Sequence, residues 1–172
     1  MKKILTSLSL CAALFMLGSC EKDDPHYDDM DVSKIKMLSH DYWILEDYTV
    51  NLDIEDEFSV ATSIFDEIAS CTLDDFFEFT MDHEMIRHEG YTKCSVNDPD
   101  STISYFILSE AETKIAMYYN EDRSGDSKIF EGNIYYPDIK HFYWQYKVYN
   151  ASTEKVEEHT RYFKVKYDYD LE

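Results

Sequence analysis

The side chains able to do chemistry in this 172-residue chain are 4 cysteines, 6 histidines and 36 Asp or Glu, so the first question is whether their spacing lets any of them act together. His83 and His88 in "HEMIRH" approach the spacing of a helical zinc site, but they are five residues apart. On a helix their directions diverge by about 140°, and on a strand they face opposite sides. Neither arrangement holds one metal, and no metal site is expected. Glu78 and Glu84 read as cross-strand neighbours, which would suit paired-acid hydrolysis or equally a solvated face. The chain has no nucleophile elbow, P-loop, GxGxxG run or CxxC pair. No catalytic residue and no cofactor is therefore assigned, and the chain reads as non-enzymatic. Asn150-Ala151-Ser152 matches an N-glycan sequon, which would carry little weight in a bacterial chain, and Asp100-Ser101-Thr102 resembles an O-glycan acceptor or equally a plain loop.

The elements that would carry these residues begin with an export signal. Lys2 and Lys3 precede an uncharged run from Ile4 to Leu17, too short to cross a bilayer and of the form of a secretory leader. Leu17-Gly18-Ser19-Cys20 then resembles the lipobox of bacterial lipoproteins. That resemblance implies cleavage before Cys20 and lipidation of its thiol, with membrane attachment through the acyl chains. Glu21-Lys22-Asp23-Asp24 is similar to the signal that sends some Gram-negative lipoproteins to the outer face of the outer membrane. The expected organisation is a signal peptide over 1–19, an acidic tether over 20–33 and a barrel domain over 34–172. The formal net charge of −20 becomes −22 once Lys2 and Lys3 leave with the signal. Such a surface repels nucleic acid and anionic membranes.

Only 4 Gly and 3 Pro, with 15 Tyr and 10 Phe, describe a globular chain rich in aromatic core residues. "DVSKIKMLSHD" predicts a short helix capped by Asp31 or Ser33, with Ile35 and Leu38 on one face. "DYWILEDYTV" predicts a strand with Trp43 and Leu45 on one side and Tyr42, Ile44, Glu46 and Tyr48 on the other. "SVATSIFDEIAS" carries Val60, Ile64, Phe65 and Ile68 at helical spacing and predicts a second helix. Seven strands in three hairpins and a closing strand follow, making eight with that of Trp43. In "HFYWQYKV" Phe142, Trp144, Tyr146 and Val148 share a face. In "RYFKVKY" Phe163, Val165 and Tyr167 do so. The pattern predicts an all-β, eight-stranded antiparallel up-and-down barrel with one or two short helices near its N-terminal side.

With Cys11 leaving in the leader and Cys20 lipidated, Cys71 and Cys94 remain for an oxidising compartment. A two-residue turn at Asp82-His83 makes paired positions sum to 165, which sets Cys71 directly opposite Cys94 at a separation a disulfide can bridge. A reactive thiol pair or half a metal site is the alternative.

The Trp43 strand, "CTLDDFFEFTMDHEM" with Cys71, Asp74, Asp75 and Phe79, and Cys94 on a partner strand resemble the lipocalin-like domain of bacterial lipoproteins. The resemblance spans Met37 to Tyr167. This chain has Tyr42 where the family usually has Gly before Trp, and Asp82-His83 where it favours Asp-Gly. A small meander barrel is implied, without catalytic residues. The functional expectation is a small apolar or amphipathic ligand, or a partner protein, bound at the open end. Candidate interior residues are Trp43, Phe142, Trp144, Tyr146 and Phe163. The other expectation is an adhesive or glycan-binding module using Tyr143, Tyr149 and Tyr162.

Overall fold

Residues 33–167 are described by a computed structural model; the expected signal peptide, Cys20, the expected tether as far as residue 32 and residues 168–172 lie outside the described residues. The elements run α1 (Lys34–Leu38), β1 (Tyr42–Asn51), β2 (Thr62–Ser63), α2 (Ser70–Leu73), β3 (Phe76–Phe79), β4 (Glu84–His88), β5 (Ser101–Leu108), β6 (Lys114–Tyr118), β7 (Lys128–Asp138), β8 (His141–Asn150) and β9 (Lys155–Val165). Every neighbouring strand pair is antiparallel, and β9 returns to β1, so β1 and β3 to β9 close into an eight-stranded up-and-down barrel. Closure leaves no long free edge. The alternation read along β8 and β9 holds: Phe142, Trp144, Tyr146, Phe163 and Val165 are buried in the core.

One end of the barrel is covered by α1. Leu38 on α1 is fully buried, and its carbonyl accepts the indole N–H of Trp43 at 2.8 Å. Ser33 stands at the N-cap without capping the helix itself. Glu112, from the β5–β6 turn, does so instead, accepting bonds from Ser33 Oγ (2.8 Å), Lys34 N (2.6 Å) and Ile35 N (3.4 Å). A carboxylate on the first backbone N–H groups satisfies donors that a five-residue helix cannot satisfy internally.

Three expectations need correction. The second helix does not form: residues 59–70 contain β2 and a 3-10 turn over Phe65–Glu67, with α2 beginning only at Ser70. Pairing with β1 stops at Phe76 on β3, and β2 takes over the edge at Thr49 and Val50, so backbone bonding outweighs helical periodicity. Tyr48 points inward, because a bulge between Leu45 and Asp47 adds a residue and reverses the alternation. The first hairpin has a three-residue loop, Met81 to His83, with Thr80 N bonded to Glu84 O and His83 at φ 64°. Phe79 therefore faces Met85, and Glu78 faces Ile86, one position off the expected register.

Cys71 and Cys94 are nonetheless bonded, with Cα atoms 5.1 Å apart. The bond does not bridge a ladder. Pairing ends at Phe76 and His88; Cys71 sits on α2 and Cys94 in the β4–β5 connection. β4 stops early because carboxylates take the next backbone donors, Asp75 that of Gly90 (3.0 Å) and Asp74 that of Thr92 (2.9 Å). A Cβ on Gly90 would stand 2.3 Å from Asp74 Cγ, which explains the glycine there.

Candidate ligand site at the far end of the barrel

The interior changes character along the barrel axis. Towards α1 it is a floor of rings in mutual contact. Phe142 stacks on Phe163 at 4.7 Å, Trp43 meets Phe142 edge-on at 4.7 Å, and Trp144 packs on Phe163 at 4.6 Å. Phe79 joins from β3, against Phe106 at 5.5 Å and Phe142 at 5.6 Å. Four of the five candidate interior residues, Trp43, Phe142, Trp144 and Phe163, thus lie together in a floor filled by their own side chains. Tyr146, the fifth, belongs to the next layer, stacked between Phe130 at 4.4 Å and His159 at 5.3 Å.

That next layer is polar. Tyr48 and Trp144 both pair with Arg161 across their ladders, and Val50 and Tyr146 both pair with His159, so these side chains share the inner face. The Tyr48 hydroxyl is 2.6 Å from His159 Nδ1 and 3.5 Å from the Tyr146 hydroxyl. The Arg161 guanidinium lies over the Tyr48 ring at 4.9 Å, a cation–π contact. Further out, the buried Glu157 carboxylate accepts from Asn150 Nδ2 at 2.6 Å and lies 3.3 Å from His159 Nε2. Val148, on the same inner face, is 39% exposed, so this end opens to solvent. Burial pushes the Tyr146 hydroxyl well above its ordinary range, with the charge of Arg161 pulling the other way. Tyr146 is therefore a neutral hydroxyl at any physiological pH.

Two buried donors in this region, Trp144 Nε1 and Arg161 Nε, have no hydrogen-bond partner among the described residues. A buried N–H without an acceptor costs about 1–3 kcal/mol. Both belong to directly paired residues of β8 and β9. What the pair can do chemically is donate to an acceptor atom, with the guanidinium adding attraction for an anion.

Beside the mouth, Arg87 Nε is 2.8 Å from Asp75 Oδ2 and its Nη2 donates to Glu89 at 2.6 Å. Burial raises the Asp75 carboxyl, and the N–H of Gly90 and the charge of Arg87 oppose the rise. This network pins the connection that carries Cys94. His83 and His88 are apart: His83 packs on Phe106, and His88 stacks on Phe76 at 4.6 Å and bonds Glu78 at 3.0 Å. On the outer wall, Tyr143 lies between Tyr135 at 4.7 Å and Tyr162 at 5.2 Å, while Tyr149 is 63% exposed.

His159 and Arg161 were legible in principle, since they share parity with Phe163, four and two residues on respectively. Tyr48 was not, because only the bulge turns it inward. No protein-family model, curated protein or solved structure matches the chain.

Proposed function

We propose that this protein is a non-enzymatic lipoprotein, anchored through Cys20 on the outer face of the outer membrane, whose lipocalin-like barrel binds a small amphipathic molecule at its far end. The observation that carries the binding reading is the pair of unpartnered buried donors, Trp144 Nε1 and Arg161 Nε, on the same inner face as Tyr48 and Tyr146. These groups suit a carboxylate or another acceptor, with Val50 and Val148 beside its apolar part. The filled ring floor limits how deep such a molecule reaches. A glycan-stacking module is less well supported, since Tyr143 already engages its ring faces with Tyr135 and Tyr162. Supporting the anchor is the run Leu17-Gly18-Ser19-Cys20 after an apolar leader.

Titration with a medium-chain fatty acid and the matching alcohol, followed by tryptophan fluorescence, tests the site. The acid is expected to bind and to lose about tenfold or more in affinity in Arg161→Gln, while the alcohol is indifferent to that change. Acid binding unchanged by Arg161→Gln, or no binding of either probe, refutes it. Labelled palmitate incorporation abolished by Cys20→Ala tests the anchor, and protease treatment of intact cells tests the outward face.

A further inference from the structure

The most exposed large apolar side chains among the described residues are gathered at the barrel end away from α1. Leu52 (62% exposed), Phe58 (83%) and Val60 (79%) stand on the β1–β3 connection, Tyr91 (78%) and Val96 (92%) on the β4–β5 connection, and Tyr149 (63%) at the β8–β9 hairpin. Tyr119, on the remaining connection of this end, belongs to a segment that folds back along the wall, where Arg123 donates to Asp82 O at 3.1 Å. The three bearing segments are tied into one rim. Ile54 N bonds Val156 O at 3.3 Å, Lys155 pairs with Asp53 at 2.7 Å, and the disulfide joins the β1–β3 and β4–β5 connections.

The same rim is strongly anionic. Its three connections, residues 52–75, 89–100 and 151–154, hold 12 Asp or Glu against one cation, Lys93. Among the described residues, Arg87 pairs with Asp75 and Glu89, Lys155 with Asp53 and Lys93 with Asp100, which leaves most of the rim carboxylates without a cation. At the α1 end, residues 33–41, 80–83, 109–113 and 139–140 hold four acids against three lysines. Among the described residues the charge asymmetry is therefore axial, and the apolar side chains lie at its negative pole.

We propose that this rim is the docking surface for a basic, amphipathic polypeptide segment of a partner protein. Apolar projections of this exposure mark an interaction surface. The carboxylates around them decide the partner: a second copy would set two anionic rims together, and an anionic bilayer would be repelled for the same reason. A neutral apolar partner would bury carboxylates without counter-charges. A segment with apolar side chains on one face and Lys or Arg on the other meets both requirements. The described chain enters at Ser33 beside α1, so the rim lies at the opposite end from the N-terminal tether.

The test uses the oxidised, exported protein and three peptides of about 18 residues: an amphipathic Leu/Lys peptide, a Ser/Lys peptide of equal charge and a Leu/Glu peptide. The Leu/Lys peptide is expected to bind, about tenfold or more tighter than Ser/Lys, with Leu/Glu and phosphatidylglycerol vesicles not bound. A triple variant, Phe58→Ser, Val60→Ser and Val96→Ser, is expected to lose about tenfold for Leu/Lys with its far-UV spectrum, disulfide and fatty-acid titration unchanged. Equal affinity for Ser/Lys and Leu/Lys overturns the proposal, as does a triple variant that binds as wild type. Vesicle binding, or self-association of the protein through the rim, assigns the surface to another occupant and also overturns it.

Discussion

Replacing both Cys71 and Cys94 by Ser separates two roles for the disulfide. The cross-link closes a segment with a sequence separation of 23 residues. Loop-closure entropy for that length corresponds to about 3 kcal/mol, because the uncrosslinked unfolded chain regains the conformations that the bond removes. The native connections have independent support. Gly90 N and Thr92 N stay bonded to Asp75 and Asp74, and Arg87 stays paired with Asp75 and Glu89. No strand pairing extends past Phe76 and His88 to be lost. The cost should therefore arise in the unfolded state and appear in global stability. Urea unfolding of the oxidised wild type and the double variant is expected to differ by about 3 kcal/mol, with a small rise in m for the variant, whose unfolded chain exposes more surface. At about 2–4 °C per kcal/mol, Tm should fall by roughly 10 °C. A loss below about 1 kcal/mol, with faster amide exchange confined to residues 89–100, would show that the bond clamps the rim locally and refute the reasoning.

Other consequences follow from single contacts. Glu112→Gln should cost about 1–2 kcal/mol at neutral pH by weakening the cap on α1. Burial pushes the Glu112 carboxyl up, but its bonds from Lys34 N, Ser33 and Ile35 N leave it below the ordinary value of 4.5. Its contribution is accordingly complete above that value and disappears as pH falls through the lower folded-state value, so the stability curves of wild type and variant should converge in acid. Curves that stay parallel down to acid unfolding would contradict the charge assignment. Trp43→Phe removes the 2.8 Å bond to Leu38 O and part of the ring floor, and should cost about 2–3 kcal/mol in urea unfolding; under 1 kcal/mol would mean α1 is not held by that bond. Glu154, exposed in the β8–β9 turn at φ 56°, is strained as an L-residue, and Glu154→Gly should raise stability by about 0.5–1 kcal/mol; a fall in Tm would refute the strain.

What the amino-acid order determined by itself is what depends on period two. The inward set Phe142, Trp144, Tyr146, Phe163 and Val165 and the eight barrel strands follow from alternation, a local property of extended backbone. Cysteine count alone leaves Cys71 and Cys94 to pair, but the hairpin register that would set them opposite is one residue off, and the two are held together by the connections that carry them, not by a ladder. The tertiary structure alone decided the features that need distant backbone to meet. The bulge after Leu45 turns Tyr48 onto Arg161 and His159. β1 recruits Thr62 and Ser63 to its open edge, and a helical pattern gives way there. Glu112 caps a helix 78 residues earlier in the chain. In each case a buried or exposed backbone donor has to find an acceptor, and which one lies within reach is settled by closing the barrel, not by the neighbours in sequence.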